Sequence, residues 1–220
     1  MQRAELAAMI DHTLLKPEAT PAQVASLCAE AVEHRFAAAC VSPIHAQLVV
    51  ASLAGSPVRP CAVVGFPSGA HPSAIKAAEA AHVAAAGVTE VDMVIDLGGL
   101  IAEGGTSVHA DVAAVRAALP ADVTLKVIIE SAALTDAHVV DACRAAVDAG
   151  ADFVKTSTGF HPAGGASTHA VALMRTTVGA DVGVKASGGI RTLADALAMV
   201  EAGADRIGAS AGIAILAELG

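Results

Sequence analysis

Short apolar runs alternate with longer alanine-rich amphipathic stretches along the whole chain. The runs are bounded by glycine, proline and small polar residues and are too brief for buried helices, so they predict strands. These fall at Ile10–Leu14, Ala37–Val41, Arg59–Val64, Glu90–Ile95, Thr124–Ile129, Phe153–Thr156, Gly183–Lys185 and Arg206–Gly208. A helical stretch follows each one: Pro21–His34, Pro43–Leu53, Pro72–Ala86, Val108–Leu119, Asp136–Ala149, Ser167–Val178, Leu193–Glu201 and Ala211–Glu218. Proline or a capping Thr, Ser or Asp opens several of these helices, and glycine closes three of them. Eight strand–helix units in 220 residues predict an α/β fold, a closed (β/α)8 TIM barrel that spans residues 1–220 as a single domain. An open dinucleotide-binding sheet would need fewer units and a Gly-x-Gly-x-x-Gly turn after its first strand, which this chain lacks.

An internal echo sharpens the pattern. Ala86-Gly87-Val88-Thr89-Glu90-Val91-Asp92, Ala149-Gly150-Ala151-Asp152-Phe153-Val154-Lys155 and Ala202-Gly203-Ala204-Asp205-Arg206-Ile207-Gly208 share one plan. A helix ends on Ala-Gly, two loop residues follow, and a strand begins. Asp92, Lys155 and Gly208 therefore hold equivalent strand positions and are expected to face the same way. If they face the lumen, a carboxylate and an amine converge while glycine leaves them room.

Two lysines interrupt the apolar runs: Lys155 after Phe153-Val154, and Lys185 after Gly183-Val184. A lysine among valines must be neutral, paired or reactive, because an isolated ammonium is costly to desolvate. Two nearby lysines would repel, each lowering the other's pKa. A neutral lysine is a nucleophile toward carbonyls. Lys155 is the better candidate, since it lies near the C-terminal end of its strand and is followed by the small polar loop Thr156-Ser157-Thr158-Gly159, where barrel active sites lie. Lys185 is then either the protonated neighbour that keeps Lys155 uncharged or the partner of a carboxylate such as Asp92. Spacing alone leaves open which lysine attacks. Asp92 is the candidate proton carrier for carbinolamine chemistry. Asp96 is expected in a loop or at a helix cap.

The loops after the last two strands, Ser187-Gly188-Gly189-Ile190-Arg191-Thr192 and Gly208-Ala209-Ser210-Ala211-Gly212, suit an anion held by backbone amides. Net charge is −9 with no basic cluster, which argues against nucleic acid as a partner. The nine histidines form no ligand pair at helical spacing, so no metal is expected. Cys28, Cys40, Cys61 and Cys143 lack a C-x-x-C pair and read as reduced thiols, with Cys40 a packing thiol that could line the lumen. The first residues show no signal-peptide pattern and no stretch resembles a membrane span, so a soluble cytoplasmic protein without a membrane partner is expected. Barrels of this size frequently form homo-oligomers, which is the expectation here.

Over nearly the whole chain these residues resemble the 2-deoxyribose-5-phosphate aldolase family. The matching segments are Ile10-Asp11-His12-Thr13-Leu14-Leu15-Lys16-Pro17, Val64-Gly65-Phe66-Pro67-Ser68-Gly69, Glu90-Val91-Asp92-Met93-Val94, Leu125-Lys126-Val127-Ile128-Ile129-Glu130, Phe153 through Phe160, Val184 through Arg191, and Arg206-Ile207-Gly208-Ala209-Ser210. The resemblance implies a class I aldolase without metal or cofactor. Such an enzyme reversibly cleaves 2-deoxy-D-ribose 5-phosphate, a phosphosugar, to D-glyceraldehyde 3-phosphate and acetaldehyde, in deoxyribonucleoside catabolism. It further implies that Lys155 forms the Schiff base, that Lys185 perturbs its pKa, and that Asp92 relays protons through water. Asp11, Thr13 and Cys40 then belong to the surrounding polar pocket, Thr158 and Gly159 to the substrate loop after Lys155, and Gly188, Gly189, Gly208 and Ser210 to the phosphate end. The chain departs from some members of the family in having Phe160 in place of a lysine, Ala211 in place of a second serine, and no tyrosine anywhere.

Overall fold

The computed structural model describes residues 1–219. Its strands are β1 (Ile10–Leu14), β2 (Ala38–Val41), β3 (Arg59–Val64), β4 (Glu90–Val94), β5 (Thr124–Ile128), β6 (Phe153–Lys155), β7 (Gly183–Ser187) and β8 (Arg206–Ala209). All neighbours are parallel, they follow chain order, and β8 closes on β1. The helices are α1 (Arg3–Ala7), α2 (Pro21–His34), α3 (Ala46–Ser52), α4 (Ser73–Ala85), α5 (Leu97–Glu103), α6 (Gly105–Ala118), α7 (Asp136–Asp148), α8 (Thr168–Val178), α9 (Leu193–Glu201) and α10 (Gly212–Ala217).

Local signals explain most boundaries. Thr20 accepts from the Gln23 amide while Pro21 opens α2, and Thr192 forms a reciprocal capping box with Asp195 at the start of α9. Thr135 and Ser167 cap α7 and α8 by accepting from the His138 and Ala170 amides. Gly87, Gly150 and Gly203 follow their helices at φ of 97°, 92° and 110°, conformations that L side chains rarely adopt. The repeated Ala-Gly plan is thus a helix stop feeding a strand start.

Most strands match their expected span to within a residue or two. β6 stops at Lys155, one residue early, whereas β7 runs on to Ser187. The stretch expected as one helix over Pro43–Leu53 divides into a 3₁₀ turn at Pro43–His45 and α3, with Pro43 opening the turn. Two helices had no counterpart among the expected elements: α1, and α5 at Leu97–Glu103. Asp96 takes the N-cap position of α5, as a cap residue should.

Strand alternation sorts the barrel's two sides. Val91, Met93, Leu125, Val127, Val154, Val184 and Ile207 point outward and are buried in the main core beneath the helices. The residues between them fill the lumen. One sector is apolar, built from Leu15, Ala38, Cys40, Cys61 and Val63. The rest carries Asp11, Glu90, Asp92, Lys126, Lys155, Lys185 and Arg206, all buried. The outward-facing apolar residues separate these lumen charges from the helices.

Candidate active site

Register brings the charged residues together. Asp92 on β4 is the Cα partner of Lys126 on β5, and Lys155 on β6 is the Cα partner of Lys185 on β7. Asp92 Oδ2 accepts from Lys155 Nζ at 2.7 Å and from Lys185 Nζ at 2.7 Å. Its Oδ1 accepts from Lys126 Nζ at 2.9 Å and from Cys61 Sγ at 3.3 Å. Lys185 also donates to Asp11 Oδ2. Arg206 Nη1 reaches Asp11 Oδ1 at 2.6 Å and Glu90 Oε2 at 3.2 Å, and Lys126 Nζ lies 2.5 Å from Glu90 Oε2. Gly208 makes this possible, since a Cβ there would stand 2.9 Å from Ser187 Cβ and 3.1 Å from Lys185 Cε. Asp92, Lys155 and Gly208 therefore do share one face of the wall, and that face is the lumen.

The titration of the network follows from its pairing. Burial pushes Asp92 upward, but Lys126, Lys155 and Lys185 outweigh it and hold the carboxyl well below the usual range. Asp11 is depressed against the same burial effect by Lys185, Lys126 and Arg206. Burial pulls Lys185 down, yet Asp11 and Asp92 raise it well above an ordinary lysine. For Lys185 this corrects the expectation of a lowered pKa, because two carboxylates outweigh the neighbouring cation. Lys126 is raised in the same way, with burial opposed by Asp92, Cys61, Asp11 and Glu90.

Above this floor, at the C-terminal ends of the strands, lies a cavity of about 280 Å³. Lys155 is the one lysine of the network that lines it; Lys126 and Lys185 are fully buried below. The walls include Thr13, Thr158, Gly159, Gly188, Gly189, Gly208 and Ser210, all expected at the substrate. Gly188 is also where two loops touch: Ala166 N donates to the carbonyls of Ser187 and Gly188 at 3.1 and 3.0 Å, and a Cβ on Gly165 would lie 2.2 Å from Gly188 O. Asp11 and Asp92 sit beneath the cavity and act on it through the lysines. Cys40 does not line it. It is fully buried in the apolar sector beside its register partner Cys61, which fits its reading as a packing thiol.

Several participants escaped the sequence reading. Lys126 carries the same signature as the other two strand lysines, flanked as it is by Leu125 and Val127-Ile128. Glu90 lies two residues before Asp92 and so on the same face, a position that alternation marks out. Arg206 gives no comparable signal, because an arginine at a strand start ordinarily reaches solvent. Lys16, Phe160 and Arg191 also line the cavity. Among the described residues, Cys40, Cys61 and Asp92 are the one trio whose ligand-type atoms lie within 4.8 Å of one another. Both Asp92 oxygens are already occupied by ammonium groups, whose charge would oppose a cation there.

Residues 6–218 match the model of the DeoC/LacD family aldolases. A curated relative from Mycobacterium avium, named deoxyribose-phosphate aldolase, is 60% identical over 222 residues, covering 99% of this chain and 98% of that protein. A protein of the same name from Kocuria rhizophila is 62% identical over 208 residues, with 94% of each covered. Among solved structures, the deoxyribose phosphate aldolase of Aeropyrum pernix, described as tetrameric, superposes with a TM-score of 0.91 at 36% identity, covering 99% of this chain and 92% of that one.

Proposed function

The chain belongs to the DeoC/LacD family of aldolases, and we propose that it acts, as a single-domain enzyme, on 2-deoxy-D-ribose 5-phosphate. It cleaves that sugar reversibly to acetaldehyde and D-glyceraldehyde 3-phosphate through a Schiff base on Lys155, and serves the breakdown of deoxyribonucleosides. The observation that carries the reading is a charge imbalance. Within the ion-paired network three carboxylates, Asp11, Glu90 and Asp92, face four cations, Lys126, Lys155, Lys185 and Arg206. Lys126, Lys185 and Arg206 each touch at least two of the carboxylates, whereas Lys155 touches Asp92 alone. Arg59 meets Glu90 only from the exposed end of its strand. The odd amine is also the one that lines the cavity.

As a free amine, Lys155 adds to the C1 aldehyde of the open-chain sugar to give a carbinolamine. Asp92, within 2.7 Å of Nζ, moves protons with a water molecule so that the hydroxyl departs as water and an iminium forms. The iminium accepts the electron pair of the C2–C3 bond while the C3 hydroxyl gives up its proton and becomes the aldehyde of glyceraldehyde 3-phosphate. Acetaldehyde carries C1 and C2, so the bond that breaks is C2–C3. The enamine is protonated at C2, and water hydrolyses the new iminium to acetaldehyde and the Lys155 amine. Lys185, raised by Asp11 and Asp92, stays an ammonium on the same Asp92 oxygen and makes a second cation there costly.

The phosphate is assigned to the loops at Gly188, Gly189 and Ser210, where the flanking cations are Lys16 and Arg191 in place of a charge at Phe160. Fixing the phosphate there sets the distance from anchor to reacting carbon. No helix among the described residues is long and apolar enough to cross a membrane, and a cytoplasmic location fits this substrate. A homo-oligomer is expected, since the Aeropyrum pernix relative is described as a tetramer. Acetaldehyde release from deoxyribose 5-phosphate, followed by a coupled dehydrogenase, tests the reading. Turnover supports it; intact protein that binds the phosphosugar and releases none would make this barrel a binding module.

A further inference from the structure

One buried carboxylate beside the cavity has no part in the lysine network. Glu130 follows β5, is 1% exposed, and has no ion-pair partner among the described residues. Its oxygens are taken up by Thr158 alone: both stand 3.3 Å from the Thr158 amide, and Oε2 accepts from the Thr158 hydroxyl at 2.6 Å. That hydroxyl, with its proton given to Glu130, accepts in turn from the Phe160 amide at 3.0 Å. Thr158, Gly159 and Phe160 form the cavity wall next to Lys155. Phe160 then meets Phe66 edge-on, with ring centroids 5.2 Å apart, so the clamp also fixes a contact to the loop after β3.

The backbone of Glu130 is held in a conformation its side chain disfavours. Its φ and ψ are 55° and 54°; among the described residues the other non-glycine with positive φ is Arg35, an exposed residue that ends α2. The kink has a visible result. Ile129 N donates to Lys155 O at 3.0 Å, and Ser131 N donates to Thr156 O at 2.7 Å. A regular parallel ladder would carry the second bond to residue 157, two positions beyond the first. Glu130 shortens the step to one, which turns the chain after Lys155 inward to meet the carboxylate. Strain of this kind persists only where the surroundings over-determine it, and it concentrates at functional sites.

We propose that Glu130 is the positioning residue for the wall formed by Thr158, Gly159 and Phe160, and that through this wall it sets how the three-carbon, phosphorylated end of the substrate is held. It touches no reacting atom. Lys155 itself is placed separately, by Asp92. The inference rests on the aldolase reading above, and the two fail in different ways.

The test compares wild type with Glu130→Ala, Glu130→Gln and Thr158→Val. Three quantities are read: KM and kcat for deoxyribose 5-phosphate, borohydride trapping of acetaldehyde on Lys155, and Tm. Glu130→Ala and Thr158→Val should each raise KM roughly tenfold or more, since a shift of about 1 Å in a positioning group costs on the order of a hundredfold. Two-carbon trapping in Glu130→Ala should stay within about threefold of wild type, because acetaldehyde lacks the end that the wall holds. Glu130→Gln keeps an accepting oxygen and should recover most of the loss. Glu130→Gly, which accepts the left-handed backbone without strain, should show the same KM defect with a Tm no lower than that of Glu130→Ala. An unchanged KM in Glu130→Ala overturns the proposal. So does a parallel fall of kcat, KM performance, trapping and Tm, which would make Glu130 a fold residue only. Absence of phosphosugar turnover in wild type would instead refute the aldolase reading.

Discussion

Lys76 and Lys155 are both buried lysines bonded to an aspartate, at 2.6 and 2.7 Å, yet their surroundings assign them opposite roles. Lys76 on α4 pairs with Asp111 on α6 and donates to Val94 O at 2.9 Å, while Asp111 Oδ2 also accepts from the Asp96 amide at 3.2 Å. One charge meets one counter-charge between two helices and a strand end, and the second Asp111 oxygen, Oδ1, has no hydrogen-bond partner among the described residues. Gly65 makes room for the lysine stem, since a Cβ there would lie 3.1 Å from Lys76 Cδ. Lys155 shares its aspartate oxygen with a second lysine, belongs to a network in which four cations meet three carboxylates, and borders open space. Burial and pairing alone thus do not mark a reactive lysine. Excess charge together with access does.

Four substitutions or conditions would break or sharpen that contrast. Lys155→Leu should abolish aldol cleavage, by at least roughly a thousandfold, while leaving stability unchanged or raised, because it removes the unbalanced cation. Substantial turnover in a folded variant, or a large drop in Tm, contradicts this. Asp92→Asn comes next: it loses the acceptor charge shared by Lys155, Lys185 and Lys126, and should slow turnover by about 10²- to 10⁴-fold. It should also lower stability, as those ammonium groups lose their common counter-charge; steady-state kinetics and denaturant unfolding check both.

Lys76→Met should behave in reverse. Removing one partner of a buried pair costs about 3–5 kcal/mol, and here kcat should remain within about threefold of wild type. The double change Lys76→Met with Asp111→Leu should regain much of the loss, measured by urea unfolding. A collapse of kcat in Lys76→Met without loss of stability would erase the distinction.

The smallest effect concerns pH. Asp11 and Asp92 are held below the ordinary 3.8, so their stabilisation is complete above about pH 4 and fades only as pH falls through their depressed values. Lys126 and Lys185 are raised above 10.5, so theirs is complete below that value and fades as pH rises further. These four groups, Asp11, Asp92, Lys126 and Lys185, should therefore contribute no step in unfolding free energy between about pH 4 and 10. A step within this window that persists in Lys155→Leu and that Asp92→Asn removes would contradict the pairing described.

The contrast also shows what the chain reveals before it folds. Period-two alternation and the Ala-Gly stops were enough to place eight strands and to put Asp92, Lys155 and Gly208 on one face. The same rule reached Lys185, because β6 and β7 are neighbours in a barrel whose strands pair in order. Lys126 carried an equal signal and was overlooked; only its register opposite Asp92 separates it from a lysine that leaves the wall for solvent. The helix α5 was hidden for a different reason. Its sequence, Leu97-Gly98-Gly99-Leu100, has poor intrinsic helix propensity, and its one buried residue, Leu100, supplies tertiary packing that propensity does not see. Glu130 was least legible of all, since nothing in Ile128-Ile129-Glu130-Ser131 signals a left-handed kink; that geometry arises from the bonds to the neighbouring strand's extension.

The most direct measurement is to incubate the protein with acetaldehyde and sodium borohydride, digest it, and locate the adduct by mass spectrometry. An ethyl group on Lys155 and on no other lysine is the predicted result. Adducts on Lys185 or Lys126 in place of Lys155, or none at all in folded protein, would contradict the assignment of the uncharged amine.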